Sequence, residues 1–370
     1  MRDSRFHGAI ASALYRSGAL AALGTLARSH HFQSGSMRLS RNKRPRFLML
    51  CYHRIGTGGI PYYSHLPSGE FEKQMAYVRR YCRVISLDQL VSELEEPCTL
   101  EPSVVVTFDD GYLGTYTEAF PILRKYRIPA SVYLAAGCIE SGEVGWYDRL
   151  FLTMHRLPPG PFTYPPLNLR FLLDSQESRM AAGLAILNHL RSISDSDRRR
   201  ICIDLESIVN LPESELSGRM MSWDHAREMQ QHGIRFEAHT MNHPVVSRID
   251  AETLESELKG SKELTEKRMG KEVRHFAYPF GKPEDYGAKA PGVVQRCGFS
   301  SGSTTVVGVN NDSVDRYQLR RVQIGENTSI SLFAFRLTQL LVMADTDTST
   351  EWNHTEIKQE AFTSGEYFHA

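Results

Sequence analysis

Asp109 and Asp110 stand side by side in the stretch Ser103-Val-Val-Val-Thr-Phe-Asp-Asp-Gly-Tyr112. Two carboxylates this close repel each other unless a cation or a shared proton relieves them, so the pair points to a metal site. A second set lies in Glu237-Ala-His-Thr-Met-Asn-His243, where His239 and His243 are four residues apart. If the chain turns helically there, both imidazoles project from one face and can share a metal, the geometry that H-E-x-x-H zinc sites use. The glutamate of that motif is missing. This argues against metalloprotease chemistry and leaves Asp109 or Asp110 to act as general base. Two imidazole nitrogens and one carboxylate oxygen would leave the open coordination position that a catalytic zinc needs. Singly, each signal is weak, because an isolated H-x-x-x-H is commonly two unrelated surface histidines and an isolated Asp-Asp a solvated turn.

These groups need elements that bring them together. Val104 to Phe108 is β-branched and apolar, the composition of a strand covered on both faces, and Gly111 supplies a tight exit. Both acids therefore fall at a strand's carboxyl end, the edge where α/β folds bind ligands. The same alternation of strand and helix runs through the chain. Phe47–Tyr52, Val84–Leu87, Ala130–Leu134, Ile234–Ala238, His275–Tyr278, Phe299–Ser303 and Leu319–Ile324 read as further strands. Helices are expected over Glu70–Arg80, from Ser86 (with Gln89 completing its cap), and over Thr115–Tyr126 despite Pro121. Others are expected over Ser222–His232, Ala251–Met269 up to Gly270, and Ser331–Met343. Repeated βα units imply parallel strands with right-handed crossovers. No glycine fingerprint for nucleotides follows any strand, which favours a distorted, partly open (β/α) barrel of about seven strands over an open nucleotide-binding sheet.

Residues 151–221 interrupt the rhythm with a Pro-rich stretch from Leu157 to Leu167 and two expected helices, Glu177–Ile193 and Ser196–Asn210, and read as a helical insertion. The catalytic domain spans 47–343, between a basic leader (1–46) and an acidic tail (344–370) expected to fray. The 370 residues carry no net formal charge, but the first 46 hold nine Lys/Arg against one acid, so the remainder carries −8. That balance offers no footprint for nucleic acid. Six scattered cysteines without a C-x-x-C pair are expected as reduced, mostly buried thiols. In the leader, Ile10, Leu14, Leu20, Leu23 and Leu26 recur at roughly helical spacing before Arg38, Arg41, Lys43, Arg44 and Arg46. Peripheral association with an anionic membrane surface and a merely solvated leader both explain this pattern. Arg16 interrupts the apolar run and no small-residue cleavage site follows, which disfavours a signal peptide and suggests a cytoplasmic protein, at the inner membrane surface if the leader anchors it.

A third stretch, Phe276-Ala-Tyr-Pro-Phe-Gly281, also ends a strand, and its Pro and Gly fix a loop that can present backbone N–H groups. The three stretches, in this order and each at a strand end, resemble the polysaccharide deacetylase family (carbohydrate esterase family 4). The resemblance runs from about Phe47 to about Leu340 and includes Cys51-Tyr-His-Arg-Ile55 and Leu319-Arg-Arg-Val-Gln-Ile324. It implies metal-dependent hydrolysis of N-acetyl, or sometimes O-acetyl, groups on an amino-sugar polysaccharide or oligosaccharide. By the family's pattern Asp109 is the general base, and Asp110, His239 and His243 hold a divalent cation, zinc or else cobalt. The tetrahedral oxyanion would be caged partly by the backbone N–H of Phe280, and Tyr278, Pro279 and Phe280 would line the substrate side.

Two departures from the pattern matter. Many members carry Arg-Pro-Pro-Tyr-Gly, whose arginine braces the catalytic aspartate, whereas this chain has Ala277-Tyr-Pro-Phe-Gly281. Arg321, in the late strand, could bring the guanidinium from another direction. The late catalytic histidine of many relatives is also missing, and His53, at the end of the first strand, is the candidate general acid. A glycan-binding descendant without turnover, and a hydrolase of small cyclic or acyl amides, are the alternatives.

Overall fold

The computed structural model describes Leu14, Tyr15, Ser17 and residues 46–56, 65–96 and 101–342. The expectations for the rest of the leader and for the tail lie outside these described residues. Of the leader's apolar face, Leu14 packs partly buried against the main core, and the ring of Tyr15 lies 6.5 Å from that of Tyr77.

The chain alternates strands and helices. It begins with β1 (Phe47–Tyr52), α1 (Ser68–Tyr81), β2 (Arg83–Val84), α2 (Leu87–Glu95), β3 (Ser103–Phe108), α3 (Phe120–Tyr126), β4 (Ala130–Leu134) and α4 (Ala136–Ser141). It continues through α5 (Trp146–Arg156), β5 (Pro161–Tyr164), β6 (Leu169–Leu172), α6 (Gln176–Ser192), α7 (Asp195–Ile208), α8 (Glu213–Leu216) and α9 (Trp223–Gln231). Last come β7 (Arg235–Ala238), α10 (Ala251–Met269), β8 (His275–Ala277), α11 (Pro283–Tyr286), α12 (Ala290–Arg296), β9 (Ser301–Ser303), β10 (Val322–Gln323) and α13 (Ile330–Val342). Ser86 caps α2 by accepting from Gln89 N, Asp250 caps α10, and Gly270 ends α10 in the left-handed region. Pro121 is accommodated because the preceding turn, Thr115–Ala119, is a π-helix, which puts the proline at the start of α3.

Seven parallel strands form one curled sheet in the order β10-β1-β3-β4-β7-β8-β9, with β2 beside β3. Every residue of β1, β3 and β4 is buried, as expected of parallel strands covered by helices. The pairings Tyr52↔Phe108, Phe108↔Val132, Leu134↔Ala238 and Ala277↔Ser303 bring the carboxyl ends of the strands to one mouth. The expected strand Leu319–Ile324 is reduced to β10 for a geometric reason. Leu319 bridges β9 at Ser303, while Val322 and Gln323 pair with β1, so this short segment spans the gap between the two sheet edges and nearly closes the barrel.

The segment read as an insertion opens with α5, so residue 151 falls inside a helix that begins at Trp146. Its Pro-rich stretch forms the β5-β6 hairpin. It does not have a core of its own. Leu150, Phe151, Ile186 and Leu190 belong to the same buried cluster as β1, β3 and β4. No described helix is long and apolar enough to cross a membrane.

Candidate metal centre and active site

Asp109 continues the pairing of β3 with β1, its N–H donating to Tyr52 O, and the carbonyl of Asp110 still accepts Ala135 N, just beyond β4, at 3.3 Å, but the backbone of Asp110 leaves the extended region. Asp110 has φ 70°, and Gly111 N donates back to Asp109 O across it. In a regular strand, adjacent side chains point to opposite faces; this three-residue turn breaks the alternation, so both carboxylates stay at the mouth. The histidine loop is also irregular. His239 follows β7 directly, and the expected helical turn between His239 and His243 does not form. Instead Thr240 (φ 66°) and His243 (φ 51°) are left-handed, and the bend they create converges the imidazoles, whose ring centres lie 4.8 Å apart. Phe280, with φ 59°, makes a fourth such position, spanned by a hydrogen bond from Gly281 N to Pro279 O. Left-handed non-glycine residues cost roughly 1–3 kcal/mol each and persist only where surrounding contacts enforce them.

Those contacts are explicit for the histidine loop. Glu257, on the buried face of α10, accepts Met241 N at 2.8 Å, Asn242 N at 2.9 Å and Asn242 Nδ2 at 2.7 Å. His243 N donates to Thr240 Oγ1, and its carbonyl accepts Trp146 Nε1 at 2.9 Å. Ala136 N and Gly137 N, at the start of α4, donate to the carbonyls of Thr240 and Met241. A Cβ on Gly137 would stand 2.7 Å from Met241 O, so glycine is required for this close approach.

The three expected ligands converge. Asp110 Oδ1 lies 3.5 Å from Nε2 of His239 and 3.4 Å from Nε2 of His243, all three residues being buried. Nδ1 of His239 is 2.7 Å from Ala277 O. A carbonyl only accepts, so Nδ1 carries a proton, and Nε2 is the nitrogen that faces Asp110 and can ligate once it has shed any proton of its own. Asp110 Oδ1 itself is buried without a hydrogen-bond partner. Two imidazole nitrogens aimed at an orphaned carboxylate oxygen, with Nδ1 of His243 also buried without a partner, fit a divalent cation. The electrostatics of the two rings differ. Burial drives His243 down to about 3, so it is a neutral donor. For His239 burial is outweighed by the contacts with Asp110 and Asp109, which raise the imidazole above its usual value, so that a cation entering here competes with a proton. For Asp110 the histidine contacts overcome burial and keep it ionised.

Asp109 is held differently. Arg321 Nη1 donates to Oδ1 and Nη2 to Oδ2, both at 2.7 Å, in a forked pair with no exposed atoms on the arginine. Arg321 is itself fixed by Nε donating to Thr304 O at 2.8 Å. Burial raises the Asp109 carboxyl, but the charge of Arg321, then His239, and the Arg321 hydrogen bond outweigh it and leave the group below the usual carboxylate range. His53 reaches the same acid, Nε2 lying 3.8 Å from Oδ2, with its side chain 38% exposed. Burial outweighs the pull of the two aspartates and lowers His53, so the ring is neutral before reaction.

Tyr278 is not at the mouth. Its side chain is fully buried in the core between β8 and α12, stacked on Tyr286, and its hydroxyl donates to Tyr317 O, so it cannot line a substrate pocket. Pro279 is buried beneath the loop. Phe280 does stand at the site, its ring centre 5.0 Å from that of His243, and its N–H makes no hydrogen bond among the described residues. Residues outside the motifs complete this wall. Trp146 lies 5.8 Å and Tyr147 6.2 Å from Phe280, Tyr147 packs on His243 at 4.5 Å, and Arg191 of α6 lies over Phe280 at 4.7 Å while forking onto Asp285. Beneath them Asp148, fully buried, pairs with Arg54 and accepts Tyr112 Oη at 2.8 Å. Nothing in the local sequence marks these residues; the one available signal is Glu257, a charge on the helix face that carries Leu254, Leu258 and Met269.

Comparison with known proteins follows the same geometry. Residues 96–301 match the family model described as polysaccharide deacetylase. The Bacillus subtilis protein YxkH, named for the same family, is 21% identical over 297 residues, 80% of this chain and 77% of its own length. A poly-β-1,6-N-acetyl-D-glucosamine N-deacetylase of Staphylococcus epidermidis is 29% identical over 109 residues, 25% of this chain and 37% of its own. Among solved structures, the Streptococcus pyogenes deacetylase PplD superposes with a TM-score of 0.56 at 19% identity, covering 80% of this chain and 99% of PplD. IcaB from Ammonifex degensii gives 0.52 at 19% identity, covering 79% and 96%. These likenesses support the curled (β/α) barrel, and the family match takes in more than half of the sequence: the chain belongs to the polysaccharide deacetylase family.

Proposed function

We propose that this protein is a metal-dependent hydrolase that removes the N-acetyl group from an amino-sugar polymer or oligosaccharide. The observation that carries the reading is the orphaned Asp110 Oδ1 facing Nε2 of two imidazoles, beside an Asp109 kept ionised by Arg321. Asp110, His239 and His243 would hold zinc, to which two nitrogens and one oxygen are suited, or else cobalt. Such a cation supplies Lewis acidity to the water and to the acetyl carbonyl.

The chain's own residues do the rest. Asp109 presents a carboxylate whose remaining lone pairs can take a proton from the attacking water, while Arg321 fixes its plane. The open N–H of Phe280 donates to the oxygen that gains charge at the acetyl carbon, in a pocket walled by Phe280, Trp146 and Tyr147. His53, neutral at the start, gives a proton to the departing amine only after receiving one, and Asp109 is the nearby donor. The likeness to the S. epidermidis enzyme makes β-1,6-linked N-acetylglucosamine the first substrate to try. Membrane-surface association through the leader, on the cytoplasmic side, belongs to the proposal and is checked by fractionation of the full chain.

The test is acetate release from N-acetylglucosamine oligomers and polymers with zinc or cobalt, with bound metal measured on the same sample. Asp109→Asn should retain the metal and lose release by about 10²–10⁴-fold. Wild type and variant equally silent over a broad glycan panel would overturn the reading.

A further inference from the structure

A second group of metal-binding side chains lies behind the first. Sγ of Cys51, an imidazole nitrogen of His53 and a carboxylate oxygen of Asp109 all fall within 4.8 Å of one another, and none belongs to the trio of Asp110, His239 and His243. Sγ stands 3.5 Å from Asp109 Oδ2, and His53 Nε2 stands 3.8 Å from the same oxygen. A tetrahedral ion with bonds of about 2.0–2.3 Å holds its ligand atoms roughly 3.3–3.7 Å apart, so two edges of such a polyhedron are nearly in place. The strand explains the convergence. Cys51 and His53 are two residues apart at the end of β1 and share a face, and β1 runs in register beside β3, which Asp109 follows directly.

We infer that Cys51, His53 and Asp109 form a second, inhibitory cation site that soft divalent ions fill when in excess. Binding displaces the thiol proton to solvent, forms the Sγ–cation bond, and engages Asp109 Oδ2 and one lone pair of His53. Cys51 itself is fully buried, and the partly exposed His53 is the way in. Two features make the site weaker than the first. Arg321 already donates to Asp109 Oδ2, so cation and guanidinium compete for that oxygen, and a cation at Asp110 repels a second one nearby. The site therefore fills after the first. The sulfur selects zinc and cadmium over magnesium or manganese, which prefer oxygen donors. Occupancy withdraws Asp109 and His53 from reaction. That inhibitory consequence rests on the deacetylase reading, whereas the binding does not.

The experiment titrates the full-length protein, loaded with one equivalent of zinc, with cadmium chloride, following ultraviolet thiolate charge-transfer absorption and acetate release together. The expected result is a band that Cys51→Ser lacks, growing as acetate release falls. The inhibitory concentration should rise by about tenfold or more in Cys51→Ser, each protein being normalised to its own starting activity. Cys51→Ala repeats the comparison if the serine variant does not fold. An unchanged band, or equal inhibition in the Cys51 variants, overturns the site. His243→Ala separates the two readings, because a Cys51-dependent band should persist when the first site is broken. Its disappearance there sinks the second site, and a band without acetate release from any zinc-loaded form sinks only the deacetylase reading.

Discussion

Asp109 and Asp110 are neighbours in the chain and almost equally buried, at 2% and 4% exposure, yet their surroundings are opposite. On the side of β1 and β10, Asp109 has both oxygens engaged by one guanidinium. On the side of β4, β7 and the histidine loop, Asp110 faces two imidazoles and no guanidinium, and its Oδ1 has no hydrogen-bond partner. The fold neutralises one charge from within and leaves the other without an internal partner. It is on this difference, not on residue type, that Asp109 is proposed as the base and Asp110 as the ligand.

The most damaging way to break the contrast is to remove the internal counter-charge. Arg321→Met should destabilise the protein by about 3–5 kcal/mol, since it strands a buried carboxylate, and acetate release should collapse with it. Urea unfolding at fixed metal concentration measures this, and a loss under about 1 kcal/mol would mean that Asp109 is not held by the pair. The second buried pair behaves similarly but carries a pH signature. Burial lifts Asp148 to about 6 despite Arg54 and Tyr112. A carboxyl that is harder to ionise folded than unfolded loses stability as pH rises from about 4 to about 6. Without Arg54 the folded value climbs further, so Arg54→Met should cost about 3 kcal/mol near pH 8 and much less near pH 5. A cost independent of pH would contradict a buried, ionised Asp148.

Smaller effects sharpen the open side. Glu257→Gln puts an amide against the N–H groups of Met241 and Asn242, and cation affinity should fall about 10–100-fold by chelator competition. Glu237→Gln is the matched control. That buried carboxylate clamps Arg274 N and His275 N at the far end of β8, so melting should drop while cation affinity stays put. If both variants bind metal alike, the loop does not depend on its clamp. The least effect is expected of Tyr278→Phe, about 1 kcal/mol in stability from the lost bond to Tyr317 O, with kcat and KM unchanged.

How much could be read beforehand depends on which physics each residue obeys. The β-branched run before Asp109 and the capped span of α10 follow from local preference, and both appear as strand and helix at nearly the expected residues. The spacing of His239 and His243 correctly pairs them, but the turn between them is set by Glu257, α4 and Trp146, so a helical guess misplaces the backbone. Tyr278 looks like a pocket residue because it shares a short motif with Phe280, which is at the site. Strand alternation sends it into the core instead. Trp146, Tyr147 and Arg191 carry no local signature, because they reach the site through the packing of α5 and α6. Arg321 could be suspected from its fork of donors, but its partner was fixed only by the closure of the barrel.

That closure has a consequence for synthesis. Asp109, Asp110, His239 and His243 all lie within residues 96–301, whereas Arg321 lies 212 residues beyond Asp109, on the segment that joins β9 to β1. In a nascent chain the residues proposed as cation ligands are therefore all synthesised well before the counter-charge of Asp109. The forked pair on Asp109 forms late, when β10 docks against β1.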